Sequence, residues 1–142
     1  MVDQDLINDL KERMDAGAEN SPVEGIFKVF EFFKQIADEN DEMKDELKDL
    51  DLLVQVVITD IDKKYFMRIK DGIIEYGEGE AENPTFIFST TWTLAFDMVL
   101  GKVDATAEYM AGNVSIEGSV ADAMSFQGVI ELAMEIFQDL IK

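Results

Sequence analysis

The spacing of apolar residues changes at Leu52, and that change limits the fold more than any other feature of the chain. Before it, apolar side chains recur every third or fourth position. Leu6, Ile7, Leu10 and Met14 form one such set, and Ile26, Phe27, Phe30, Phe33, Ile36 and Ala37 form the next. That spacing gathers them on one side of a helix. After it come "LLVQVVITD" (52–60), "KKYFMRIKDG" (63–72), "GIIEYGEGE" (72–80) and "PTFIFST" (84–90), rich in β-branched and aromatic residues and separated by turn signals. These read as four strands. Helical spacing returns at Trp92. A chain that begins helical, turns to strands and goes back to helices is expected to be α+β, with helices packed on one face of a sheet.

The boundaries are marked by capping and turn residues. Asp3 is expected to cap a helix over about 4–16 that stops at Gly17. Ser21-Pro22-Val23-Glu24 reads as a capping box with proline at the first helical position. Asp60 to Lys63 and Asp71-Gly72 are turn signals, the second a type I′ candidate, and together they predict a meandering antiparallel sheet. "TTWTLAFDMVLG" is apolar on nearly all sides, so its helix must be buried or must face something apolar, and Gly101 ends it. Asp104 is expected to cap the short helix "ATAEYMAG". Asn113 to Glu117 would then form a fifth strand, with Val114 and Ile116 on one face. A last helix runs from Ser119, with a bend expected at Gly128.

Composition removes whole classes of function. The 142 residues fit one domain, and 47% apolar content is ample for a core. No apolar run reaches the roughly 18 residues of a membrane span. The acidic start "MVDQDLINDL" lacks a basic-then-apolar leader pattern, so a cytoplasmic rather than secreted protein is expected. There is no cysteine and no histidine, which excludes thiolate chemistry and the commonest general base. The net charge is −19, and Lys102 and Lys142 are the only basic residues after Asp71. Nucleic acid is therefore excluded as a partner, and no stable membrane insertion is expected.

The densest acidic run, "DENDEMKDELKDLD" (38–51), imitates a calcium loop in part. Met43 stands where the sharp turn needs glycine, and Asp49 stands where a bidentate glutamate is usual. Met43, Leu47 and Leu50 instead mark the buried seam of a solvated helix. No metal or cofactor is expected. Ser115 and Ser119 have no evident base, and Glu75, Glu78, Glu80 and Glu82 read as a solvated strand edge, so no catalysis is expected either.

The stretch "NPTFIFSTTWTLAFDMVLGKVDATAEYMAGNVSIEGSVADAMSF" (83–126) resembles the sterol carrier protein type 2 family. In that family a strand ending in Ser or Thr leads into a helix ending Leu-x-Gly-Lys. An Asp-started helix ending Met-x-Gly follows, then a strand ending in Gly, then Ala-Met. Here those places hold Ser89, Leu100-Gly101-Lys102, Asp104, Met110 with Gly112, Gly118 and Ala123-Met124, with Leu100 directly preceding the glycine. The likeness extends over about Phe27 to Phe137. The helix at 4–16 has no family counterpart, and Leu140-Ile141-Lys142 is not a peroxisomal address.

The resemblance implies a single domain over 1–142. It implies a five-stranded, mostly antiparallel sheet with helices on one face, enclosing an apolar tunnel. By themselves Trp92, Phe96, Met98, Met110, Met124 and Met134 suit either a filled core or an adaptable pocket; the resemblance favours the pocket. The expected ligand-binding set is Phe30, Phe33, Phe88, Trp92, Phe96, Met110, Met124, Gln127, Ile130 and Met134, with Gln127 taken from the family alone. The expected function is a non-catalytic carrier of a fatty acid, acyl-CoA, sterol or isoprenoid. The alternative is a protein-interaction module or accessory subunit of a lipid-handling enzyme, with a protein partner or a homodimer.

Overall fold

A computed structural model describes residues 2–99 and 102–142. Its first helix, α1 (Gln4–Ala16), begins where the Asp3 carboxylate accepts from the Asp5 amide at 2.9 Å. It docks on α2 (Ile26–Glu39) through Leu6, Ile7 and Leu10. Here the structure departs from the expected capping box. Two short 3-10 turns, Ala18–Asn20 and Val23–Gly25, occupy the link, and Gly25 precedes α2 with no side-chain cap. The turns take up the residues that a direct helix start at Ser21 would have used. Ser21 is buried instead, its hydroxyl donating to the Arg13 carbonyl at 3.2 Å.

The acidic run folds as α3 (Asp41–Leu47), capped by Asn40 Oδ1, which accepts from the Met43 amide at 2.9 Å. Its buried seam is Met43 and Leu47, with Leu50 partly buried beyond the helix end. The sheet comprises β1 (Asp51–Ile58), β2 (Lys63–Lys70), β3 (Ile73–Glu78), β4 (Phe86–Thr90) and β5 (Ser115–Gly118). The turn between β2 and β3 has Asp71 and Gly72 both at positive φ, +55° and +76°, as a type I′ hairpin requires.

The strand order is β3-β2-β1-β4-β5. Only β1 to β3 meander; β4 lies on the other side of β1 and parallel to it, so the sheet is mixed though mostly antiparallel. The link from β3 to β4 must therefore cross two strands. Gln55 explains how. Its neighbours Val54 and Val56 face the helices, so its own side chain faces the opposite side. There it donates to the carbonyls of Tyr65 (2.8 Å) and Gly79 (3.0 Å) and accepts from the Ala81 amide. A polar side chain inside an apolar strand thus ties down the crossing link, and every buried hydrogen-bonding atom of that side chain has a partner.

The helices lie on the face bearing Tyr65, Tyr76 and Phe86. Phe27 packs edge-on to Tyr65 at 5.3 Å, Phe30 edge-on to Tyr76 at 5.7 Å, and Phe126 against Phe86 at 6.0 Å. The remaining helices are α4 (Trp92–Val99), α5 (Ala105–Met110) and α6 (Val120–Leu140). Leu100 and Gly101, expected to end α4, lie outside the described residues. Gly128 does not interrupt α6, which runs through it unbroken, and a Cβ there would sit 3.4 Å from Glu46 Oε1. The fifth strand starts two residues later than expected, because Asn113 is held in the preceding turn by the Glu108 carbonyl and the Thr90 hydroxyl.

Candidate functional site: an apolar cavity over the fourth and fifth strands

The last two strands are covered differently from the first three. β5 has four residues and ends at Gly118, which presents no side chain. α5 is six residues long and buries none of them. Between this thin arch and the sheet lies a cavity of about 620 Å³, within the roughly 300–1,000 Å³ range typical of small-molecule sites. Its floor is Val56 from β1, Phe86 and Phe88 from β4, and Ile116 from β5. These are cross-strand neighbours: Val56 is in register with Phe88, and Phe88 with Ile116.

The walls come from four helices. α2 contributes Phe30 and Phe33, α4 contributes Trp92, Phe96 and Met98, α5 contributes Thr106 and Tyr109, and α6 contributes Met124, Gln127 and Ile130. The all-round apolar character of α4 follows from this position, between the cavity and the rest of the core. Trp92 is held at both ends. Its amide donates to Asp60 Oδ1 at 3.1 Å, and its indole Nε1 donates to the Ser21 carbonyl at 2.9 Å. Its ring meets Phe96 edge-on at 5.6 Å.

Polar groups gather at the α5–α6 side. The Asp104 carboxylate caps α5 by accepting from the Thr106 amide at 2.9 Å. The Thr106 hydroxyl donates to Gln127 Oε1, and Gln127 Nε2 donates to Glu131 Oε1, each at 3.2 Å. Among the described residues Lys102 is the one cation lining the cavity, whose lining also includes the acids Asp104 and Glu131. Thr106, Gln127 and Glu131 thus answer one another, and most of the remaining lining is apolar.

Eight of the ten expected residues line this cavity: Phe30, Phe33, Phe88, Trp92, Phe96, Met124, Gln127 and Ile130. Two do not. Met110 is 81% exposed, because α5 turns Thr106 and Tyr109 towards the cavity and leaves the next residue on the solvent side. Met134 lines a separate pocket of about 40 Å³ towards the end of α6, with Leu10, Met14 and Phe137. Sequence reasoning also missed residues. Phe86 was recoverable, since alternation along β4 puts it on the face of Phe88. Thr106 and Tyr109 had no distinguishing signal, because only the fold brings α5 over β5.

A match to the SCP-2 sterol transfer family covers residues 33–131, more than half of the chain. The chain belongs to that family. The part matched carries all five strands and the cavity-lining residues of α4, α5 and α6, whereas α1 and the start of α2 lie outside it. Within the SCP-2 domain, Asp104 caps its helix as expected, and Gly112 and Gly118 both take positive φ, +85° and +103°. A search of curated proteins finds no significant match.

Solved structures share the fold at low identity. A structure described as UbiJ-SCP2 ubiquinone synthesis protein has TM-score 0.62 and 11% identity, over 79% of this chain and 99% of that one. Palmitated SCP2L2 from Aedes aegypti gives 0.58 and 15%, over 78% and 95%. The sec-alkylsulfatase Pisa1 from Pseudomonas sp. gives 0.56 and 16%, over 60% of this chain and 14% of that enzyme, so the chain spans about a seventh of its length. Family and fold together identify the SCP-2 domain as one for lipid binding or transfer. No helix among the described residues is long and apolar enough to cross a membrane.

Proposed function

We propose that this SCP-2 domain is a cytoplasmic, non-catalytic carrier that holds one lipid-like molecule in the 620 Å³ cavity. The observation that carries the reading is the lining itself, apolar side chains contributed by β1, β4, β5, α2, α4 and α6. Burying apolar surface is worth about 25 cal/mol per Å², so a hydrocarbon chain gains its affinity there without specific polar contacts. The polar groups at the edge are occupied with capping and with one another, which supports carriage rather than chemistry.

Charge narrows the ligand. The cavity lining includes Lys102 against two acids, Asp104 and Glu131, in a chain of net charge −19. A multiply charged end such as that of acyl-CoA would meet repulsion from this surface, strongest at low salt. The reading therefore favours fatty chains, sterols or isoprenoids with an uncharged or singly charged end. Native mass spectrometry of the protein as purified tests it, with a bound apolar molecule as the expected result. Loss of all apolar ligands and dyes from the binding repertoire would sink it.

The second reading is an accessory module. Met110, Val120 and Met124 are exposed near the cavity, and in Pisa1 the same fold is one part of a much longer chain. A stable complex that forms only with the cavity empty would favour that role.

A further inference from the structure

The small pocket and the large cavity share a wall. Phe33, Trp92 and Phe96 line both, together with Val29 and Val99. On the far side of this wall the pocket is bounded by Leu10, Arg13 and Met14 of α1, by Ser21 and Pro22 of the link, and by Ala133, Met134 and Phe137 of α6. Most of that boundary lies outside residues 33–131, the part matched to the family. The N-terminal segment also fixes the wall, since the indole of Trp92 is bound to the Ser21 carbonyl. Arg13 is drawn to Asp9 by an ion pair at 3.3 Å.

We infer that Phe33, Trp92 and Phe96 form an end stop that sets the length of hydrocarbon chain this domain accepts. The pocket behind them is then a terminal subsite, supplied by α1 and the end of α6, that a longer chain enters once the stop is thinned. The inference rests on the carrier reading. Its physical basis is that aromatic rings braced edge-to-face and by a hydrogen bond do not yield cheaply to a growing chain, because a packed wall can swing only by losing those contacts. Beyond the stop the space is small but bounded mainly by apolar side chains, so a chain end that reaches it is again buried.

The test uses the full chain and saturated 1-monoacylglycerols of about 12 to 22 carbons, read by displacement of Nile red. Wild type should show a sharp fall in affinity, tenfold or more, beyond one chain length. Phe96→Ala and, made in parallel, Trp92→Leu thin the stop from its two sides. Either should move that limit up by about two to four carbons, since each removes ring volume from the wall. Ala133→Met, which adds bulk to the small pocket alone, should return the limit towards wild type when combined with either variant. A limit unmoved in folded thinning variants, a shift that Ala133→Met fails to reverse, or a wild type with no limit would each overturn the inference alone. A wild type that binds neither dye nor any member of the series would overturn the carrier reading on which it stands.

Discussion

The two halves of the sheet carry equally apolar residues and use them differently. On β1 to β3, Leu52, Val54, Met67, Ile69 and Ile74 are at most 1% exposed and line neither the cavity nor the small pocket. Over β4 and β5, Phe88, Trp92, Ile116, Phe126 and Ile130 are only partly buried and border a hollow. What differs is the cover. α2 is fourteen residues long and meets the sheet through aromatic pairs, whereas α5 is six residues long and buries none of them, and β5 has only four residues. Hydrophobicity decides which residues go inside, but the length and position of the covering helices decide whether the inside is full.

The largest effect expected from this contrast is in the packed half. Met67→Ala should cost about 3 kcal/mol, because a fully buried side chain leaves a cavity that its surroundings cannot refill. Ile130→Ala, at the wall of the hollow, should cost about 1 kcal/mol and weaken lipid binding instead. Equal losses in denaturant melts would erase the distinction between the halves.

Gly118→Val tests the joint at the edge of the hollow. Gly118 has φ +103°, and a Cβ there would meet the Thr85 carbonyl oxygen at 2.6 Å and Phe86 Cα at 3.0 Å. A loss of about 2 kcal/mol is expected from strain and clash together, with ligand affinity falling only as the fold weakens. Affinity lost at unchanged melting temperature would place Gly118 in the binding site itself.

Met124→Glu should separate binding from stability. The side chain lines the cavity yet is 47% exposed, so a carboxylate there can stay hydrated. Stability should change by less than about 0.5 kcal/mol, while affinity for an apolar ligand falls by about tenfold. A large drop in melting temperature would mean that this side of the arch is packed like the other half.

The smallest effect is a pH dependence confined to the packed half. The Tyr76 hydroxyl donates to Glu31 Oε1 at 2.6 Å, joining β3 to α2. Burial, then this bond, pushes Tyr76 up to about 12. The same bond is the main cause holding Glu31 below the usual carboxylate range, against the opposing effect of burial. Because tyrosine in the unfolded chain loses its proton near pH 10, this contribution is complete below about pH 10 and lost as pH rises towards 12. The Glu31 contribution is present above the ordinary carboxylate value and lost as pH falls through its lowered one. Tyr76→Phe should flatten the alkaline limb in part, leaving the share of Tyr65, which burial also raises. An alkaline limb identical to wild type in urea melts between pH 9 and 12 would remove Tyr76 from this account.

Most of the legible signals are those whose interaction lies within a few residues. The caps at Asp3 and Asp104, the start of the last helix at Ser119, the Asp71-Gly72 turn and the stripes of α1 and α2 depend on neighbours along the chain, and all are readable from it. The Ser21 capping box does not form although it is local, because two equally local 3-10 turns compete for the same residues. The parallel placement of β4 was hidden, since it depends on Gln55 reaching Gly79 and Ala81 more than twenty residues away.

The same division runs through the site. By itself the sequence determined an α+β fold, the apolar inward stripes and most of the side chains around the hollow, because periodicity and the family motif are written along the chain. Only the tertiary structure decided that Met110 points to solvent and that Met134 lies behind the Trp92 wall. It alone also decided that a hollow exists. Empty space is a property of how separate elements fail to meet, and the apolar pattern of a lined cavity is identical to that of a filled core.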